Sequence, residues 1–464
     1  MLFNTAHFFV FLAVVLALFY SSPRVLRRYI LLFASYFFYG SWNYRFIPLL
    51  LTLTVIDYTA GIWLEKVQPG PRRKTVLTMS LCANLGFLGF FKFYNFMAGN
   101  VAWIVDKPSH AFFLNIVLPL GISFHTFQSM SYVVDVYRGE QKAVRDPIDY
   151  ALFICFFPQL VAGPVVRARN FFHDLFQWQP PTSEDVSRGI LLLALGLTKK
   201  MAFADQFAKV ANDYFKNVSA TPGWLAAWSG VLAFGMQIYF DFSGYTDMAI
   251  GMAKLLGFHF PVNFRRPYLS GSITEFWRRW HISLSTWLRD YLYISLGGNR
   301  RGRWMTYRNL MLTMLLGGLW HGASWNFVIW GGYHGLLLSI ERVFRGDRRL
   351  REDWNWLYPL KALGTFILVM IGWVFFRAVD LPQSIAVLRH MFTGKPGHLL
   401  LANWHIELIL IALVLAVVEE KLDGFERVLK APMLAYASAL ALMFFCIEVF
   451  GVIDASIPFV YFQF

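Results

Sequence analysis

The chain has 464 residues, of which 57% are hydrophobic and 15% are charged, and its mean hydropathy is +0.47. This composition excludes a set of soluble domains, so we predict a multispanning membrane protein. The net charge of +14 comes from short Lys and Arg clusters between apolar runs. Such clusters argue against a nucleic-acid partner and are typical of residues that orient a protein among membrane lipids.

The first apolar segments indicate how the chain enters the membrane. They cover residues 6–20, 29–42 and 46–64. The first has no basic stretch before it and no small-residue cleavage site after it, which predicts a spanning helix and not a removable signal. The links after the first and third segments are basic, whereas the second link carries only Arg45. The positive-inside rule therefore places the N-terminus outside the cytoplasm.

The next segments contain helix-breaking residues. We predict that 75–93 crosses outward, that 94–110 lies outside, and that 113–136 returns with a kink near Pro119 and Gly121. His125 follows the kink, and we expect it to be a structural histidine. Residues 150–163 are too few to cross as a straight helix, which predicts a broken or re-entrant segment. In 188–207, Lys199 and Lys200 indicate a cytoplasmic helix end.

The segment 224–256 is long enough to cross but carries polar residues in its second half. Its candidate substrate-binding residues are Gln237, Tyr239, Asp241 and Ser243. On a helix, Gln237 and Asp241 share one face at a spacing of four residues. Two interpretations stay open: hydrogen bonds between packed helices, or a surface that faces substrate.

Two histidines stand out in the stretch from 276 to 334. We predict an amphipathic helix over 273–296, along the membrane interface or sunk into the protein, with His281 on it. His321 and Gly322 separate apolar segments 307–320 and 324–344. A titratable ring in apolar surroundings is costly, so both histidines are functional candidates.

The remaining crossings are predicted at 358–377, 404–419 and 432–450. We find no linker, repeat or low-complexity segment, so we predict one domain, 1–464, with a catalytic core at 113–344. The expected architecture is all-α, with ten to twelve transmembrane or re-entrant helices. The three cysteines lie in apolar segments without CxxC spacing and predict small buried residues, with neither a metal site nor a disulfide framework (Cys82, Cys155 and Cys446).

Several stretches carry a family resemblance. They are LPLGISFHTFQSMSYVVDVYRG (118–139), FFPQLVAGPVVR (156–167), QIYFDFSGYTDMAIG (237–251), NFRRPYLSGSITEFWRRWHISLSTWLRDYLYI (263–294), LGGLWHGASWNFVIWGGYHG (316–335), WVFFRA (373–378) and IPFVYFQF (457–464). In these stretches the chain resembles the membrane-bound O-acyltransferase superfamily. Within it, the resemblance is to the bacterial branch of alginate O-acetyltransferases and D-alanyl transfer proteins.

The resemblance implies helices around a central tunnel and a site near its narrow point. His321 matches the essential histidine of the family's WHG signature, and His281 matches the histidine of WRRWHxS. Acyl transfer from a thioester to an alcohol needs a base, so we assign that role to His321 and an orienting role to His281. His334 does not match the family's essential histidine and is expected to be structural. Cofactor-binding residues remain unknown.

Other side chains are assigned to substrate with less support. Trp277 and Trp320 are expected to pack the tunnel and to keep water from the thioester. Arg279, with the basic loop 299–303, could bind the phosphates of a coenzyme A donor or anchor the protein at the interface.

The resulting expectation is an O-acetyltransferase component of the bacterial inner membrane that uses acetyl-CoA or another acyl thioester. Its acceptor would be an exported polysaccharide such as alginate or cellulose, and an extracytoplasmic acetyltransferase would complete the transfer. The alternatives are D-alanyl transfer to teichoic acid, peptidoglycan O-acetylation, or, in a different class, a transporter of glycan or lipid with the histidines as a proton relay.

Overall fold

A computed structural model describes residues 1–160, 163–345, 355–452 and 457–460. Within these ranges the chain forms twenty-one α-helices and no strand, which confirms the all-α prediction. Four helical stretches are long and apolar enough to cross a membrane: Arg24–Lys66, Pro71–Ile104, Tyr358–Arg377 and Met433–Phe450. The protein is therefore a multi-pass membrane protein, and the total of ten to twelve spans stays a prediction.

The chain divides into two compact units. The first comprises Met1–Ile190 and Met248–Pro261, and the second comprises Leu191–Asp247 and Val262–Phe464. The organisation of residues 1–464 as a single domain stays a prediction.

The first unit contains the N-terminal helices. They are α1 (Ala6–Ser21), α2 (Arg24–Asn43), α3 (Ile47–Lys66), α4 (Pro71–Leu88), α5 (Tyr94–Ile104), α6 (Ile122–Arg138), α7 (Pro147–Cys155), α8 (Phe157–Leu160) and α9 (Ala168–Phe176). The start of α10 (Ser183–Thr198) also belongs to this unit.

One prediction in the first unit was wrong. Residues 113–136 do not form a kinked span, because α6 begins only after Gly121. Gly121 has a φ of 71°, and a Cβ there would lie 2.4 Å from the carbonyl oxygen of Leu160, so this turn requires glycine. Residues 94–110 begin in a helix, because a π-helical turn joins α4 to α5 and α5 continues to Ile104. Their location outside the cytoplasm stays a prediction.

The expectation of a broken short segment is confirmed, and the expectation for the cysteines needs correction. The short segment 150–163 is broken, since α7 ends at Cys155 and α8 starts at Phe157. Of the cysteines, Cys155 is buried and Cys446 is partly buried, but Cys82 is exposed. Cys82 lies on α4, in the candidate membrane-spanning stretch Pro71–Ile104, most of which is not buried by other parts of the protein. Its thiol therefore faces away from the protein interior.

The second unit contains the remaining helices. They are α11 (Asp205–Lys216), α12 (Trp224–Leu255), α13 (Ile273–Arg279), α14 (Ile282–Trp287), α15 (Arg303–His321), α16 (Trp325–Arg345), α17 (Tyr358–Arg377), α18 (Leu381–Met391), α19 (Asn403–Leu422), α20 (Gly424–Leu429) and α21 (Met433–Phe450). Of these, α12 continues past Asp247 into the first unit.

The sequence predicted that a helix ends at Lys199 and Lys200, but the structure shows that the helical chain continues through them. A π-helical turn, Lys199–Ala204, joins α10 to α11 at this point. Lys200 is buried and forms ion pairs with Asp205 and Asp241. Because carboxylates compensate the charge, the helix can continue through the interior of the unit.

The predicted amphipathic helix over 273–296 is also wrong as a single element. It is interrupted at Trp280 and His281, between α13 and α14, and a further π-helical turn covers Leu288–Tyr293. With seven and six residues, α13 and α14 are each too short to cross a membrane.

Helices α15 and α16 form a closely packed hairpin that carries His321 at its turn. A Cβ on Gly318 would lie 2.2 Å from the carbonyl oxygen of Phe327, and a Cβ on Gly331 would lie 2.2 Å from that of Met314. Glycine at these positions therefore allows the two backbones to approach closely. The hairpin packs into a hydrophobic core shared with α12, α13 and α17.

Candidate active site

His321 is the last residue of α15, where the chain turns back towards α16. A Cβ on the following residue, Gly322, would lie 2.0 Å from the ring of Phe327, so only glycine fits this turn. The imidazole is 5% exposed. Its neighbours are aromatic, with ring centroids 5.0 Å away for Trp320, 5.1 Å for Trp330 and 5.3 Å for Phe376. The predicted break at His321 is therefore confirmed.

His281 also lies at a helix break, but in a strained backbone conformation. Its φ is 42° and its ψ is 55°, in the left-handed region. This region costs about 1–2 kcal/mol for a residue with a side chain. Two backbone bonds hold it: Ile282 N–H donates to Asn263 O at 2.9 Å, and Ser285 N–H donates to His281 O at 2.9 Å. Strain of this kind concentrates at functional sites.

The side chain of Asn263 fixes which nitrogen of His281 carries the proton. Asn263 Oδ1 accepts from the Ser283 backbone N–H at 3.0 Å and from the Ser283 hydroxyl at 2.9 Å. It also lies 3.2 Å from His281 Nδ1. Because an oxygen there can only accept, Nδ1 must be the protonated nitrogen, and Nε2 of the neutral ring carries the lone pair.

An array of packed rings joins the two histidines within the second unit. From His281 to His321 it consists of Phe264, Trp280, Trp373 and Trp330, which we call the aromatic cluster. Successive ring centroids are 5.0–6.3 Å apart. Both histidines therefore belong to one apolar environment.

Three of the predicted substrate-binding residues pack on this cluster or on His321. Tyr239 lies 6.2 Å from Trp280, and Trp277 lies 5.6 Å from Trp330, between ring centroids. Trp320 contacts His321 directly. The predicted role of Trp277 and Trp320 in excluding water, and the predicted substrate contacts of all three residues, stay predictions.

The other predicted substrate-binding residues lie elsewhere in the second unit. Gln237, Asp241 and Ser243 are buried in α12, and Asp241 is bonded to Lys200 and to the backbone N–H of Val460. Arg279 is also buried and is paired with carboxylates of Glu275 at 2.7 Å and Glu420 at 3.0 Å. Its predicted part in phosphate binding remains untested.

The two histidines expected to be structural are both buried. His334 is stacked near Phe276 and contacts Trp277 and Trp330. Within the part of the chain that the structure describes, neither of its ring nitrogens has a hydrogen-bond partner. His125 lies in α6 of the first unit.

The sequence interpretation missed Asn263 and Lys200. Asn263 begins the polar stretch NFRRPY, but its partner Ser283 is twenty residues away, so only the folded chain reveals the bond. Lys200 follows Lys199, and such paired cations indicate a helix end, whereas its partner Asp241 lies forty-one residues later. Trp330, Trp373 and Phe376 were also missed as neighbours of the site, although they lie in the motifs that carry the family resemblance.

The arrangement favours one kind of chemistry. Two imidazoles buried among aromatic rings can accept and return a proton. That the aromatic cluster keeps water from a reactive intermediate stays a prediction. The site therefore fits general acid–base catalysis of group transfer to a hydroxyl.

Comparison with known proteins gives the same indication. The model of the membrane-bound O-acyltransferase family, MBOAT, matches residues 72–379. A probable alginate O-acetylase of Azotobacter vinelandii is 46% identical over 390 residues, which cover 83% of this chain and 76% of that protein. The peptidoglycan O-acetyltransferase of Helicobacter pylori is 38% identical over 84% of this chain and 80% of its own. The teichoic acid D-alanyltransferase of Bacillus subtilis is 29% identical, over 61% of this chain and 71% of its own.

Proposed function

Because this chain belongs to the membrane-bound O-acyltransferase family and is an O-acyltransferase, we propose that it takes an acetyl group from a cytoplasmic acyl thioester. The donor is acetyl-CoA or a similar thioester. The acetyl group is passed across the membrane for O-acetylation of an exported polysaccharide, with alginate or cellulose as the acceptor. The 46% identity to a probable alginate O-acetylase supports this acceptor class.

The observation that carries the proposal is the placement of His281 and His321. Each lies at a helix break and both adjoin the aromatic cluster. In the proposed reaction a ring nitrogen of His321 takes the proton of the acceptor hydroxyl while that oxygen attacks the thioester carbonyl carbon. The tetrahedral intermediate collapses, the C–S bond breaks, and the thiolate recovers the proton from the imidazolium.

His281 orients the acceptor in this scheme. Its Nδ1–H is directed to Asn263, so Nε2 can accept a hydrogen bond from the acceptor hydroxyl. Such a bond fixes the hydroxyl beside the base before attack, and positioning of this kind supplies a large part of the rate. Trp277, Trp320 and Tyr239 complete the dry surroundings, and Gln237 and Ser243 contribute polar contacts along α12.

The cellular setting follows from the same proposal. The protein resides in the bacterial inner membrane with its N-terminus outside the cytoplasm, and the basic links face the cytoplasm. A separate extracytoplasmic acetyltransferase supplies the hydroxyl that accepts the acetyl group beside His321, and it then completes the transfer to the polysaccharide, which is the final acceptor. Arg279 and the basic loop 299–303 are the candidates for contacts with donor phosphates.

Two other acceptors are supported by specific relatives. Peptidoglycan O-acetylation is supported by the 38% identity to the Helicobacter pylori enzyme, and D-alanyl transfer to teichoic acid by the 29% identity to the Bacillus subtilis enzyme. The higher identity to the alginate O-acetylase favours acetyl transfer to alginate over both. Membership of an acyltransferase family also favours an enzyme over the transporter alternative.

The proposal is tested with the full chain in proteoliposomes, supplied with labelled acetyl-CoA and its extracytoplasmic partner. We expect label on alginate or cellulose in the parent protein and none with the His321→Ala variant. Label on peptidoglycan alone, or transfer only from a D-alanyl thioester, would replace the proposed acceptor or donor. Gradient-driven glycan uptake without acyl transfer would overturn the enzymatic assignment.

A further inference from the structure

A buried group of three charged side chains in the second unit has no part in the chemistry proposed above. Lys200 Nζ lies 2.7 Å from Asp205 Oδ1 and 2.9 Å from Asp241 Oδ1. All three side chains are at most 2% exposed. One cation does not neutralise two carboxylates, and buried carboxylates need further hydrogen-bond donors to offset their lost hydration.

The chain segment 457–460 supplies a donor and an acceptor to this ionic group. Val460 N–H donates to Asp241 Oδ2 at 2.7 Å, and Lys200 Nζ donates to Ile457 O at 3.0 Å. The segment is thus held near both ends through its backbone. Hydrogen bonds to charged partners are stronger than those between neutral groups, so this attachment is firm.

The segment also reaches the surroundings of His281. Phe459 is fully buried, and its ring centroid lies 4.5 Å from Tyr245 and 5.7 Å from Phe242. Phe242 in turn lies edge-on to His281 at 4.6 Å, with an interplanar angle of 87°. A single aromatic ring therefore separates Phe459 from the His281 imidazole.

We propose that Lys200 and Asp241 are positioning residues that anchor segment 457–460, so that Phe459 holds Phe242 against the His281 ring. The inference rests on the proposed function, because it gives the segment a part in orienting the acceptor. The inference gives Asp241 an anchoring role, in place of the substrate contact for which the sequence made it a candidate. Packed interiors transmit such constraints because their side chains have little room to move.

The chain offers a matched control on the same two helical elements. Lys199 Nζ pairs with Asp247 Oδ2 at 2.6 Å, one residue before Lys200 and six residues after Asp241. The side chains of this pair are about one-fifth exposed. Neutralising Asp247 removes an ion pair between the same elements while leaving the bonds to segment 457–460 in place.

The first experiment measures attachment of the segment without using activity. Phe459→Cys is labelled with a maleimide in three full-length backgrounds that all carry Cys82→Ser and Cys446→Ser, so that no accessible native thiol competes. They are the otherwise unchanged parent, Asp241→Asn and Asp247→Asn. We expect slow labelling in the parent and in Asp247→Asn, and labelling at least about tenfold faster in Asp241→Asn, since loss of the charged partner loosens the segment. Equal labelling rates in the two Asn backgrounds would overturn the anchoring role.

The second experiment measures its consequence for turnover. With labelled acetyl-CoA in proteoliposomes, Phe459→Ala should lower kcat by about 100-fold, because small displacements of an orienting group have effects of that size. KM for acetyl-CoA should change little, and Phe459→Leu should restore part of kcat. A kcat within twofold of the parent for Phe459→Ala would refute the positioning role.

These results separate the two proposals. If His321→Ala retains transfer, the proposed mechanism fails, while the labelling experiment still decides the anchoring. If Phe459→Ala does not reach the membrane in folded form, Asp241→Asn and Phe459→Leu replace it in the kinetic assay. In that case, unchanged kcat in both would overturn the inference.

Discussion

Replacing Asn263 by Ala tests the orientation of His281 through the bonds that hold it. Asn263 is fully buried, and its Oδ1 is the acceptor for two groups of Ser283 and for His281 Nδ1–H. The Ser283 hydroxyl can rotate to another acceptor, but its backbone N–H and the imidazole N–H are fixed. Asn263→Ala therefore leaves two buried donors without their acceptor.

The size of the effect follows from those two donors. Each buried donor that loses its partner costs about 1–3 kcal/mol, so we expect the free energy of unfolding to fall by about 2–6 kcal/mol. Without Oδ1, the preference for the proton on Nδ1 of His281 is also lost. Since about 1.4 kcal/mol in a barrier is tenfold in rate, we expect kcat to fall about tenfold or more.

The assay combines thermal unfolding in detergent with acetyl transfer in proteoliposomes. Asn263→Asp keeps an acceptor oxygen and should retain more activity than Asn263→Ala. Asn309→Ala is the control, because Asn309 is equally buried but its Nδ2 donates to Gly298 O at 3.0 Å, away from His281. It should lower stability without lowering kcat in the folded fraction. Parent-like kcat in Asn263→Ala would refute the assigned orientation of His281.

Three further predictions concern stability and exposure. Gly331→Ala places a Cβ 2.2 Å from a backbone carbonyl of α15, so it should lower the free energy of unfolding by about 1–3 kcal/mol or more. The Cβ of Gly364→Ala meets no atom within 4 Å, so this control variant should be neutral or stabilising. A thermal unfolding assay compares the two. Arg279→Ala leaves the buried carboxylate of Glu275 without its cation, whereas Glu420 keeps its pair with Arg266. The variant should cost about 3–5 kcal/mol, so a loss below about 1 kcal/mol would contradict the described ion pairs. A membrane-permeant maleimide should label Cys82 and spare buried Cys155 in the folded protein, and the reverse order would contradict the described burial.

The sequence predicted best those elements that local periodicity and apolar length determine. The span 358–377 matches α17 at both ends, and the break at His321 was recognised from the glycines around it. The two units and the aromatic cluster could not be predicted from local periodicity. They depend on contacts between segments that are far apart in the sequence.

The errors share a physical cause. Spacings of three and four residues continue across His281, so periodicity predicted one helix where a left-handed residue breaks the chain. The break is stabilised by Asn263, which precedes it by eighteen residues. Likewise, the sequence around Lys200 resembles a helix end. Its two carboxylate partners offset the free-energy cost of burying its charge. In each case, contacts with residues far away in the sequence determine the local structure, and the local sequence pattern does not.

The most direct test of the central claim compares two histidines that both lie in the second unit. His321 and His334 both contact Trp330, with ring centroids 5.1 Å away in each case. Transfer of labelled acetyl from acetyl-CoA is measured for His321→Ala and His334→Ala at equal amounts of folded protein in the membrane. The account predicts that His321→Ala loses at least about 10²-fold in kcat, the contribution typical of a general base, while His334→Ala keeps most of the activity. Full acetyl transfer by His321→Ala would contradict it.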